Sequence, residues 1–238
     1  MEWGIVLAIG VVAGTLGGIV GFGTSILLLP VLVIVFGPKE AVPIMAIVAM
    51  MANLSRVAIW WRDVDWRVSG VYSLTAIPFA ALGAITLLRM NPRTIEIALG
   101  VFFLLAIPVR RWLVGFRLRL WQMALVGAGI GYLTGIVAST GPINTPFFLA
   151  YGLVKGAYLS TEAIGSLAIY ITKAVVFSSF GALPWPTVLK GLIIGTSVTA
   201  GSFVAKRFVL RLDQSHFHLL MDALLLFAGI AMILTAYF

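Results

Sequence analysis

The chain has 238 residues, 61% of them hydrophobic and only 10% charged, where a soluble domain carries about 25% charged residues. Its apolar residues come in runs long enough to span a bilayer and do not alternate with polar ones, which excludes an ordinary soluble core and a membrane β-barrel. The net charge is +8 with no cysteine, so thiol chemistry, disulfides and Cys-ligated metals are excluded, and the basic residues, gathered in short loops, signal topology rather than a nucleic-acid surface.

In chain order, residues 4–20 form a first apolar segment. Glu2 and the lack of a basic n-region or cleavage site mark it as a retained segment, not a signal peptide. The run Gly21-Phe22-Gly23-Thr24-Ser25 interrupts it, and 24–37 follows. Three ordinary segments come next, at 42–60, 69–88 and 94–109. A basic stretch from Arg110 to Arg119 leads to 121–137, which breaks at Ala138-Ser139-Thr140-Gly141-Pro142-Ile143-Asn144 before 142–153. Segments 163–181, 187–205 and 216–237 complete the chain. At ~1.5 Å per residue, 24–37 and 142–153 reach about 18–21 Å, short of a ~30 Å hydrocarbon core.

The second half repeats the first. Gly10, Gly14 and Gly18 correspond at one displacement to Gly127, Gly131 and Gly135, Gly18-Ile19-Val20 to Gly135-Ile136-Val137, and Ser55-Arg56 to Thr172-Lys173. After a small insertion, Leu88-Arg89-Met90-Asn91 corresponds to Leu210-Arg211-Leu212-Asp213. A repeat of about 110 residues follows. It divides the chain into a first membrane repeat (1–112), a basic cytoplasmic linker (113–120) and a second membrane repeat (121–238).

Loop charges decide how each broken stretch runs. If it crosses once, the loop cations divide seven against seven between the faces. If it is a hairpin, Arg62, Arg67, Arg110, Arg111, Arg117, Arg119, Lys155, Lys206, Arg207 and Arg211 share one face, leaving Lys39, Arg89, Arg93 and Lys190 opposite. Cations accumulate on the cytoplasmic side, so the hairpin is favoured. A hairpin plus three crossings per half inverts the halves, with both termini external and the linker cytoplasmic. The expected fold is an all-α polytopic membrane protein of two inverted repeats, eight to ten membrane segments in all, a recurring design of secondary transporters.

The breaks carry the chemistry. Thr24 or Ser25 is expected to cap the second piece of the first hairpin, and Ser139 or Thr140 that of the second, with Pro142 in its first turn. Helix N-termini inside the membrane attract anions, and Asn144 adds an amide donor. The alternative is a plain tight turn. Arg56 and Lys173 lie inside apolar segments at equivalent repeat positions, with no acid three or four residues away. Buried membrane charge faces a cavity or a partner, so two unpartnered cations would draw an anion, with Asn53 one turn from Arg56. Snorkelling to a membrane face competes with that reading. Glu96 and Asp222 are the acids placed to carry a coupling proton, against pairing or a boundary position. His216 and His218 do not share a helical face, and no metal or cofactor site is expected. Gly-x-x-x-Gly runs read as close helix packing, in a dimer as readily as within the chain. Trp60, Trp61, Trp66, Trp112, Trp121 and Trp185 read as interfacial anchors.

The run Gly17-Gly18-Ile19-Val20-Gly21-Phe22-Gly23-Thr24-Ser25, then Pro30-Val31-Leu32, resembles the first motif of the sulfite exporter TauE/SafE family. Gly135 through Gly141-Pro142 to Pro146-Phe147-Phe148-Leu149 resembles its second motif, with fewer glycines than usual. The resemblance implies a permease of a prokaryotic inner membrane that exports, or takes up, small sulfur-containing anions such as sulfite or sulfoacetate. The expectation is therefore a secondary transporter, an exporter, that alternates access to an anion site near the midplane between the two halves. Its substrate-binding residues would be Thr24, Ser25, Asn53, Arg56, Ser139, Thr140, Asn144 and Lys173, with a proton or sodium ion as candidate coupling partner. An anion channel is the alternative. A membrane-embedded enzyme is disfavoured, because no acid–base pair or nucleophile with its base stands out.

Overall fold

The computed structural model describes residues 2–112, 117–137 and 139–205, with positions 226, 230, 233 and 234. The first half contains α1 (Glu2–Val20), α2 (Gly23–Phe36), α3 (Pro38–Trp60), α4 (Trp66–Arg89) and α5 (Pro92–Trp112). The second contains α6 (Leu120–Ile136), α7 (Gly141–Tyr151), α8 (Lys155–Ser179) and α9 (Trp185–Ala205). No strand occurs among the described residues. Asp222, His216, His218, the Leu210–Asp213 match, Ala138, and 113–116 of the linker lie outside the described residues, as does most of the 216–237 segment.

Local signals place the helix starts. Pro38 and Pro142 stand in the first turns of α3 and α7, where a missing N–H costs nothing. Asp65 caps α4 by accepting from the Arg67 and Val68 amides. Four helices, the stretch Pro38–Asp63, α4, α8 and α9, are long and apolar enough to cross a membrane. Leu54, Leu74, Leu125 and Val175 point outward from them or from α6, as lipid-facing residues do. Trp61, Trp66, Trp121 and Trp185 are exposed at helix ends, the places of interfacial anchors. The chain is an all-α, multi-pass membrane protein.

Both broken stretches fold back as hairpins. The Trp3 ring, at the start of α1, lies 5.7 Å from that of Phe36, at the end of α2. The Leu118 amide, just before α6, donates to the Ala150 carbonyl near the end of α7 at 3.0 Å. The loops sort with them. Lys190 at the start of α9 pairs with Glu40 at 2.6 Å, beside the base of the first hairpin. Gly156 at the start of α8 abuts Trp60 and Asp63, on the side of the second hairpin's base. A single crossing for each broken stretch would have put Lys190 and Glu40 on opposite faces.

The glycine stripes seat each hairpin on the other half. α1 packs on α9, and α6 on α4. A methyl group added at Gly10, Gly14 or Gly18 would strike Ser197, Val198 or Ser202 with Ala205 of α9. Added at Gly127, Gly131 or Gly135, it would strike Tyr72 and Thr75, Ala76, or Ala80 with Gly83 of α4. Thr75, Ala76 and Ala80 correspond in turn to Ser197, Val198 and Ser202 at one constant displacement. The two halves therefore exchange equivalent contacts, while α3 and α8 pack together at the centre.

One element departs from expectation. The helix assigned to 163–181 begins at Lys155. Its first two turns are polar but mostly buried, packed among protein helices where apolar character is not required.

Candidate functional site

The hairpin tips meet. Gly21 adopts φ +96°, a left-handed conformation that disfavours any side chain. A Cβ there would also lie 2.6 Å from the Tyr158 hydroxyl and 2.9 Å from Arg56 Nη1. Gly141, first in α7, abuts Phe22 of the other tip so closely that a Cβ would overlap it. Tyr170 of α8 lines the space between the tips together with Ser25 of the first and Ser139 of the second.

Capping differs from the sequence expectation in the first hairpin. Phe22 occupies the cap position of α2, and no side chain caps it. The Thr24 hydroxyl instead donates to the Ala13 carbonyl at 3.1 Å, pinning α2 to α1, and Ser25 lines the cavity beside it. In the second hairpin Thr140 stands at the cap position without a side-chain cap bond. Its hydroxyl pairs with that of Thr134 at 2.5 Å, and the Gly141 amide reaches Ser139 Oγ at 3.4 Å. Thr24 and Thr140, expected to serve their own helix ends, bond instead to the first helix of their hairpins, which packs within reach.

Arg56 has a partner after all. Its Nη1 donates to Glu162 Oε2 at 2.9 Å, with the residues 5% and 3% exposed. Its Nη2 donates to Asn53 Oδ1, and Asn53 in turn donates to the Ala49 carbonyl at 2.7 Å. Glu162 Oε1 accepts from Asn144 Nδ2 at 3.1 Å and from Ser166 Oγ at 2.5 Å. The Tyr72 hydroxyl donates to Asn144 Oδ1 at 3.2 Å. Glu162 was missed because it falls just before the apolar segment that begins at 163. The available signal was its helical spacing from Tyr158, Ser166, Tyr170 and Lys173 on one α8 face.

Lys173 is fully buried and differently placed. Its Nζ donates to the carbonyls of Thr134, at 2.5 Å, and Val137, at 2.9 Å. These belong to the last turn and cap of α6, where carbonyls lack intrahelical partners and the helix carries its negative end. The ammonium also stands 5.9 Å and 5.7 Å from the Tyr170 and Phe177 ring centres, in cation–π range. Lys173 thus holds α6 at the break and does not open onto the cavity. Its repeat equivalent, Arg56, also sits against the end of a first hairpin helix, beside Gly21.

Between the tips lies a cavity of about 20 Å³, room for about one water molecule. Thr24, Ser25, Asn53, Arg56, Ser139 and Thr140 line it, together with Glu162 and Tyr170. Asn144 and Lys173 stand one residue behind, through Glu162 and Thr134. Glu96 lies half-buried near the start of α5 and does not line the cavity. Arg56 and Glu162 are the ionisable pair at its wall, and the remaining polar lining is hydroxyl and amide. The arrangement can present a cation and several donors to a small anion, provided the carboxylate gives way.

The family model for the sulfite exporter TauE/SafE family matches residues 6–232. No curated protein and no solved structure matches the chain. The match covers nearly the whole chain, and the protein belongs to that family of membrane permeases for sulfur-containing anions.

Proposed function

We propose that this member of the sulfite exporter TauE/SafE family is a secondary transporter that binds a small sulfur-containing oxyanion, such as sulfite or sulfoacetate, between its two hairpin tips. The observation that carries this reading is the meeting of both tips at a small cavity with Arg56 in its wall. Arg56 supplies the charge, and the hydroxyls of Thr24, Ser25, Ser139 and Thr140 supply donors. Asn53 and Asn144 orient Arg56 and Glu162, and Lys173 acts through the α6 terminus it holds. A cavity with room for one water is too small for an oxyanion of four or more heavy atoms, so binding needs one half to rock against the other, as alternating access requires. The exchanged glycine contacts supply two matched interfaces for that motion.

The same reading orients the chain. The face carrying Arg62, Arg67, Arg117, Arg119 and Lys155 is cytoplasmic by its excess of cations, and the base of the first hairpin is external. The sequence has no phosphate-cradling glycine loop, so ATP is not read as the direct energy source.

The test is flux of radiolabelled sulfite and sulfoacetate into proteoliposomes. Arg56→Ala alone would strand a buried carboxylate, so the decisive variant is Arg56→Gln with Glu162→Gln, which removes both charges at similar volume. Saturable flux in wild type, lost in the folded double variant, is expected. Saturable flux through the double variant would move the binding site elsewhere, and no flux in wild type under any imposed gradient would end the proposal.

A further inference from the structure

Arg56 cannot take a substrate anion while Glu162 holds it. The pair is charge-neutral, so adding an anion would leave a net negative site in a region of low dielectric, where isolated charge is costly. The bonding of Glu162 shows how the site can be released. Its two oxygens are not equivalent. Oε1 already accepts from Asn144 and Ser166, whereas Oε2 meets Arg56 Nη1 at the cavity wall. A proton therefore goes to Oε2. It cancels the ion pair, leaves the two bonds to Oε1 intact, and turns Oε2 into a donor.

We infer that Glu162 is the proton-coupling residue and that one proton enters the site with each anion. This rests on the transport reading above. In the resting site the carboxylate is an internal stand-in for the substrate, as its oxygen occupies the guanidinium donor a sulfonate or sulfite oxygen would use. Protonation frees Nη1, and the anion binds between Arg56 and the Glu162 hydroxyl. The loaded site is again neutral, and the proton and the anion cross in the same direction.

Among the described residues that line the cavity, Glu162 is the one carboxyl group. Among the described residues, α3 presents Arg56, and α4 presents Tyr72. On α8 itself, Tyr158 and Tyr170 stand near. From α7 the facing group is the Asn144 amide, and α6 presents Thr134 to the same cavity. The tyrosines are neutral phenols near neutral pH.

The experiment uses the full chain in proteoliposomes with a pH dye trapped inside. The probes are sulfite, sulfoacetate and methanesulfonate, the last because its charge is constant around neutral pH. With the outside more acidic, wild type should accumulate the probe and acidify the lumen together. The half-saturating methanesulfonate concentration should rise about tenfold per pH unit once Glu162 is ionised, the slope of one linked proton. In Glu162→Gln, whose amide mimics the protonated acid, half-saturation of counterflow should not vary with pH, whatever its rate. Wild-type flux without lumen acidification, or a pH slope that survives in Glu162→Gln, overturns the inference and leaves the transport reading standing. No flux of any probe through wild type overturns both. The dye measurement on wild type decides the matter even if the variant does not fold.

Discussion

Arg56 and Glu162 come from different halves of the chain and are buried together. Removing one partner of such a pair is far worse than neutralising both, because the survivor keeps its desolvation cost without its Coulombic return. Arg56→Ala is therefore expected to destabilise the protein by roughly 3–5 kcal/mol, and adding Glu162→Gln should recover most of that loss. Thermal unfolding of detergent-purified protein measures both effects. An Arg56→Ala protein as stable as wild type would mean that the pair does not form. At this scale the sequence was half legible. Arg56 stood out as a charge within an apolar run, but Glu162 did not, because hydropathy reports contact with lipid. The first turns of α8 are buried in protein and can be polar. Lys173 stood out for the same reason as Arg56, yet nothing in the sequence said that its ammonium would be spent on the α6 carbonyls.

Among elements, the glycine stripes determine how closely the hairpins seat. At Gly131 a side chain would meet the Ala76 backbone, whereas Gly129, two residues earlier on the same helix, has open space around it. Gly131→Leu is expected to separate α6 from α4 and to lower the unfolding temperature sharply. Gly129→Ala should be neutral or stabilising by up to about 1 kcal/mol, since alanine favours helix over glycine. Comparing the two melting curves checks the claim, and equal stability of the variants would refute it. The stripes, the breaks and the short second pieces were all readable from spacing and length. The caps were not. Thr24 and Ser25 are chemically suited to begin a helix, but the hairpin fold brings the Ala13 carbonyl within reach of Thr24 and sets Ser25 in the cavity wall, and tertiary surroundings took precedence over local ones.

For the whole molecule, two hairpins joined at their tips form the centre, and each lies on a helix of the opposite half. The cavity they enclose is shut down to the size of a water. On the face that carries Glu40 and Lys190, a wider opening of about 380 Å³ reaches in between Pro38, Leu87, Ile95 and Phe177. Lys173 stands between the two, flanked by Tyr170 of the central cavity and Phe177 of the outer one. Loop charges alone were enough to choose hairpins over single crossings. The sequence reading put both breaks at one midplane site, but the particular contacts between the tips, such as Gly141 on Phe22, were not legible, since no residue in one break names its neighbour in the other.

The chain contains no cysteine, so a single one can be placed at the tip without background. Ser139→Cys puts a thiol in the cavity wall beside Tyr170 and across from Arg56. The decisive measurement is its rate of modification by a small thiol reagent in proteoliposomes as sulfoacetate is raised. Slow labelling that the anion suppresses further, with the half-saturation seen in flux, is expected. A cysteine labelled at an unchanged rate while flux saturates would contradict it, because the anion would then bind somewhere other than between the hairpin tips.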